Sequence, residues 1–159
     1  MRGFRGLAGV EFRSIVKGMQ SFYDDRQYVL VLEKGDSLFE KLREFVNEHS
    51  FKGTWLQGLG AALELELGYY DLAAKKYHWK QFSGLYEITS LQGNIVLDEA
   101  GEPVFHVHGV FTDSNFQAFG GHVRNLVVGG TCELLITGLA MGMQRKLDDA
   151  TGLNLLHKA

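Results

Sequence analysis

Residues 27–48 read QYVLVLEKGDSLFEKLREFVNE, and the change of hydrophobic period inside this stretch decides the fold class. Gln27 to Glu33 is an apolar, partly β-branched run closed by Gly35-Asp36, which predicts a strand ending in a turn. From Ser37 the spacing changes. Leu38, Leu42, Phe45 and Val46 stand at i, i+4, i+7 and i+8 on one helical face, while Glu40, Arg43, Glu44, Asn47 and Glu48 take the solvent side. Ser37 with Glu40 three residues on predicts a capping box at the helix start.

Everything after this helix reads as strand. Runs near 52–57, 62–71, 76–83, 85–97, 103–111, 116–123 and 131–140 are expected to be strands, with turns at Asp71–Lys76, Asp98–Glu102 and Thr112–Asn115. One early helix followed by consecutive strands implies α+β architecture, an antiparallel sheet with helix packed on one face. A doubly wound parallel sheet lacks its crossover helices here. The single proline, Pro103, begins a strand, where it is tolerated. Residues 1–24 are expected to be an N-terminal extension with one short strand around Val10, Phe12, Ile15 and Val16. Residues 25–145 form the domain, and 146–159 a tail made of a turn and a short docked or frayed end.

Composition narrows the function. A chain of 159 residues with 45% hydrophobic content supports one core. The lone Cys132 excludes an internal disulfide and a cysteine-held structural zinc, which suits a reducing cytoplasmic setting. Arg5, Glu11 and Arg13 interrupt any secretory h-region, and no run reaches the roughly 20 apolar residues of a membrane span. Net charge is −3, and the 16 Lys and Arg are scattered, which argues against strong non-specific DNA binding. Arg2, Arg5, Arg13 and Lys17 make the start basic without forming a tight run.

Two glycine patterns suggest backbone roles. Gly58-Leu59-Gly60 lacks the third glycine and the following helix of a dinucleotide fingerprint, so a bulge or close backbone approach is expected. Gly120-Gly121 and Gly129-Gly130 are expected to be flexible points at strand ends.

The histidines carry the chemistry. His106 and His108 alternate along a strand and share a face. His122 returns beyond the next turn, and one residue of register decides whether it joins them. Three neutral imidazoles with an open fourth position suit zinc, ahead of nickel, copper or iron. His49 fits a helix C-terminus, His78 and His157 read as surface residues, and Cys132 as core. Glu64, Glu66, Glu87 and Glu133 lie within apolar strands. Glu87 and Glu133 have the most apolar flanks, but solvent-side alternation accounts for all four.

In order, LEKGDSL, GTWLQGLGAA, LGYYD, GLYEITSLQGNI, FHVHGVF, GGHV and TCELLITGL resemble the plants-and-prokaryotes-conserved (PPC) domain over about residues 28–140. The resemblance implies a strongly twisted antiparallel sheet with a few packed helices, and commonly a homotrimer. It implies that His106, His108 and His122 match the family's HxH and GGH positions, which hold zinc in prokaryotic members. Plant members join the domain to an AT-hook that enters the DNA minor groove. MRGFRGLAG lacks that motif's core and proline, and Leu85 stands where plant members have Arg. The expected function is that of a stand-alone prokaryotic member: a homotrimeric zinc-binding module, associating with DNA or a regulatory protein partner. The alternative is a zinc-dependent hydrolase or lyase acting on a small molecule, with a glutamate such as Glu87 or Glu133 as general base.

Overall fold

The computed structural model describes residues 11–12, 19–24, 27–49, 51–98 and 100–159. Val10, Ile15, Val16 and the basic residues Arg2, Arg5, Arg13 and Lys17 lie outside them. The described elements are β1 (Glu11–Phe12), β2 (Gln20–Asp24), β3 (Gln27–Glu33), α1 (Leu38–Asn47), β4 (Thr54–Asp71), β5 (Lys76–Leu97), β6 (Pro103–Thr112), β7 (Ala118–Gly138), β8 (Met143–Asp148) and β9 (Leu153–Lys158).

The first seven strands form one antiparallel sheet in the order β1-β2-β3-β7-β4-β5-β6. An additional pairing of β6 with the start of β7 makes β7, β4, β5 and β6 a closed ring. One face of each of β3 to β7 is apolar. Leu30 and Leu32 of β3, Leu56 and Leu65 of β4, Leu91 and Ile95 of β5, Phe111 of β6 and Leu126, Leu134 and Ile136 of β7 are buried together. Helix α1 lays Leu38, Leu42, Phe45 and Val46 on that face.

The expected α+β, antiparallel architecture holds, with differences that have physical causes. The few packed helices reduce to one among the described residues. The predicted pairs of strands at 52–57 and 62–71, at 76–83 and 85–97, and at 116–123 and 131–140 are the long strands β4, β5 and β7. Their breaks are irregularities inside continuous strands, with register shifts at Gly58/Gly60 and Ala62/Glu64. Gly60 is one cause: its φ of 144° lies where side chains are disfavoured, and a Cβ there would meet the Thr131 carbonyl and lie 2.8 Å from Cys132 Cα. Gly120-Gly121 and Gly129-Gly130 are not strand ends. They lie within β7, and glycine there permits close packing; a Cβ on Gly120 would strike the Gly109 carbonyl. The expected C-terminal tail is a hairpin, β8 paired with β9.

The capping box does not form. Ser37 occupies the N-cap with extended backbone but makes no side-chain cap bond. Four buried apolar side chains, each stabilising by about 1.5–3 kcal/mol, outweigh a missing cap worth about 1 kcal/mol. At the other end His49 Nδ1 meets the Phe45 carbonyl at 2.8 Å, and its ring stacks on Phe51. Cys132 is buried, and burial pushes its thiol up to about 12.

Two substitutions separate these effects in denaturant unfolding. Ser37→Ala is expected to change stability by less than about 0.5 kcal/mol, because no cap bond is lost. Gly60→Ala is expected to cost about 2–3 kcal/mol through backbone strain and collision with β7.

Candidate metal centre

The turn between β6 and β7 sets the register that the sequence leaves open. Asp113 Oδ1 accepts from the backbone N–H of Asn115 at 2.8 Å and of Gln117 at 3.0 Å, and Phe116 takes the left-handed conformation at φ 61°. The turn thus occupies 113–117, slightly beyond its predicted place. With the chain reversed in this way, His108 stands directly opposite His122, and Thr112 opposite Ala118. Directly paired residues share a face. His122 therefore joins His108, and His106 lies two residues back on that face.

The three rings converge. His106 Nε2 and His108 Nε2 are 3.2 Å apart, and one ligand atom from each of the three histidines lies within 4.8 Å of the others. Three nitrogens bound at 2.0–2.1 Å to a tetrahedral ion would be roughly 3.3 Å apart, so small side-chain adjustments suffice. His122 Nδ1 is buried with no hydrogen-bond partner, an orphaned acceptor or donor of the kind a ligand would satisfy. The donor set, three imidazoles, fits zinc.

Aromatic residues build one wall of the site. Gly68 of β4 pairs with His122 of β7 on one side and with Trp79 of β5 on the other. A Cβ at Gly68 would lie 2.6 Å from Trp79 and 2.8 Å from Tyr77, so glycine there makes room for both rings. Tyr77 stacks on Trp79, and their centroids lie 5.2 and 6.0 Å from that of His122. Arg124 lies over the Trp79 ring and also pairs with Glu66 at 3.5 Å.

The environment keeps the imidazoles neutral. Burial lowers the His106 pKa, helped by the charges of Arg145 and His108. His108, the outermost, is lowered by partial desolvation alone. His122 is brought down to about 4, first by burial, then by His106, His108 and Arg145. A neutral imidazole keeps the lone pair that a metal needs.

The other candidate residues stand apart. Glu133 faces a groove with Val29, Gln57 and Leu59, eleven residues along β7 from His122, roughly 35 Å of strand at 3.3 Å per residue. Glu87 is exposed and pairs with Thr112, four residues beyond His108. Neither lines the histidine pocket. Glu64 is exposed, and Glu66 is taken by Arg124. His78 lies on the surface near Asp71, and His157 is exposed in β9.

One contributor was missed in the sequence. Arg145, in the C-terminal hairpin, lines the same pocket as His106 and His122. No periodicity or motif links residue 145 to residues 106–122, and only the docking of β8 against β5 brings them together.

The family described as the Plants and Prokaryotes Conserved (PCC) domain matches residues 19–140. Three solved structures are similar over nearly their full length. A candidate DNA-binding protein from Bacteroides thetaiotaomicron superposes with a TM-score of 0.82 at 23% identity, covering 89% of this chain and 98% of that one. A candidate DNA-binding protein from Ralstonia eutropha gives 0.77 at 27% identity, covering 94% and 96%. A metal-containing protein from Archaeoglobus fulgidus gives 0.75 at 28%, covering 94% and 98%. No curated protein sequence matches the chain.

Depressed histidine pKa values make metal-free protein pH-sensitive in a defined direction. Between the ordinary value of 6.5 and the His122 value of about 4, the unfolded chain binds protons that the folded chain refuses, so stability falls as pH falls. Unfolding midpoints at roughly pH 7, 6 and 5 are expected to decline, and a His106→Gln, His122→Gln variant to decline less. Asp71 and Asp148, held low by hydrogen bonds from Ala74 and Thr151, lose their contributions only at lower pH.

Proposed function

The chain belongs to the Plants and Prokaryotes Conserved domain family, and from that premise we propose that it is a metal-binding module whose His106, His108 and His122 hold a zinc ion. The observation that carries this reading is the convergence of three imidazoles from β6 and β7 on one point. A zinc ion there would supply a Lewis acid and would tie the two strands that close the ring. The chain's own residues contribute three neutral nitrogens, the shielding wall of Tyr77 and Trp79, and a fixed cross-strand register.

The proposed assembly is a homotrimer. Its support is the outer face of β3, β7 and β4, opposite the face covered by α1. Val29, Trp55 and Leu59 are exposed there, at 38%, 42% and 56%, and Leu135 lies between Val29 and Gln57 in the pairing. Large apolar side chains side by side on one sheet face mark a contact surface. The likeness to the Ralstonia protein supports DNA as a partner. A net charge of −3 limits that contact to a local one.

An enzymatic role has support in the pocket of about 320 Å³ beside His106 and His122, a volume suited to a small molecule. No carboxylate among the described residues lines it, so Glu87 and Glu133 are not available there as the general base within this chain.

Elemental analysis of protein purified in metal-free buffer and then exposed to zinc is expected to give about one zinc per chain, and a His106→Ala, His108→Ala variant to give none. Equal zinc in both would refute the site. In the same preparations, solution mass is expected at three chains, and Leu59→Glu to lower it. Any DNA affinity is expected to drop steeply with added salt; salt-independent retention would count against DNA as the partner.

A further inference from the structure

Arg145 sits on β8, outside the residues matched by the family. Its guanidinium has five N–H donors in a rigid fork. Nη1 donates to the Asn154 carbonyl at 2.8 Å and Nη2 to Asn94 Oδ1 at 2.7 Å, while Nε is buried with no partner. Both partners are neutral. Among the described residues Arg145 forms no ion pair, and no Asp or Glu lines its pocket. A half-buried cation without a counter-ion is an unfavourable arrangement unless something else supplies the negative charge.

The surroundings define the missing charge. Asn94 stands opposite His106 on β5 and holds the guanidinium in place. Tyr77 brings a phenol to the same pocket. Apart from the histidines and Asn154, whose carbonyl already accepts from Arg145, the rest of the wall is apolar, with Val104, Phe105, Leu153, Leu155 and Leu156 around the polar end. A planar fork of donors beside an aliphatic wall matches a molecule with a carboxylate at one end and a short hydrocarbon at the other. A free phosphate would leave the leucines without a role.

We propose that the pocket between the β8–β9 hairpin and the histidine cluster is a recognition site for a small organic carboxylate, with Arg145 as its anchor. The site adjoins the proposed zinc centre and rests on that reading for its neighbour, but the anchor is Arg145 and not the metal. The hairpin is thereby a ligand-binding element, with β8 supplying the charge and β9 the apolar wall.

Hexanoate is the probe, with hexanol and inorganic phosphate as comparators, titrated calorimetrically into the full chain after chelation and again after zinc is restored. Hexanoate is expected to bind both forms with a dissociation constant of about 1 mM or tighter, and hexanol and phosphate at least tenfold more weakly. Arg145→Gln is expected to lose at least tenfold in affinity. Because that change also removes bonds to the hairpin, Asn94→Asp is the second variant: it keeps an acceptor for Arg145 but neutralises it, and the same loss is expected.

Hexanoate that binds only the zinc-loaded form, and equally in Asn94→Asp, would place the anion on the metal; the Arg145 proposal would fall and the zinc reading stand. Hexanoate binding in a chain that takes up no zinc would leave the Arg145 site standing and remove the zinc reading. Absence of hexanoate binding in both forms, or phosphate binding as tightly as hexanoate, overturns the proposed site.

Discussion

The pairing of β6 with the first residues of β7 is the constraint on which the rest depends. Through it four strands close into a ring, and through its register His108 faces His122. A slip of one residue would turn His122 to the opposite face and leave two histidines on one side and one on the other. Asp113 resists that slip by accepting two backbone bonds inside the turn, and Gly120 and Gly109 resist it by packing backbone against backbone where no side chain fits. β6 thus lies between β5 and β7, and its separate pairing with β5 brings Asn94 level with His106.

Electrostatics at the centre follow from that geometry. Partial desolvation lowers the pKa of all three imidazoles, and the neighbouring histidines and Arg145 lower those of His106 and His122 further. The same forces make the centre poor at holding additional cations without ligand bonds and good at holding neutral donors ready for a metal. Arg145 adds a positive charge, and among the described residues no Asp or Glu lines its pocket, which is the basis for the proposed anion site. The aromatic pair Tyr77 and Trp79 fits beside His122 only because Gly68 has no side chain.

Much of this was legible before the structure. The helix face of Leu38, Leu42, Phe45 and Val46, the strand character of everything after it, and the shared face of His106 and His108 follow from period alone. The burial of Cys132 and the irregularity at Gly58-Leu59-Gly60 follow from composition and glycine chemistry. What was not legible is long-range. Whether 52–57 and 62–71 are two strands or one bulged strand depends on the partner that spans the break. The register of His122 depends on a turn whose length local sequence sets only within a residue or two. The C-terminal hairpin carries weak alternation, exposes most of β9, and takes its position from β5; the role of Arg145 is therefore invisible in the sequence. The Ser37 and Glu40 pattern placed the helix start correctly, with Ser37 at the N-cap, but the side-chain bond it predicts there does not form.

The central claim is that His106, His108 and His122 act together as one set of metal ligands. X-ray absorption at the zinc edge of the zinc-loaded protein tests it most directly, because scattering from imidazole rings counts the histidines. The account predicts three imidazole nitrogens at about 2.0–2.1 Å with a light atom completing the shell. A shell with one imidazole or none, or one containing sulfur, would contradict it.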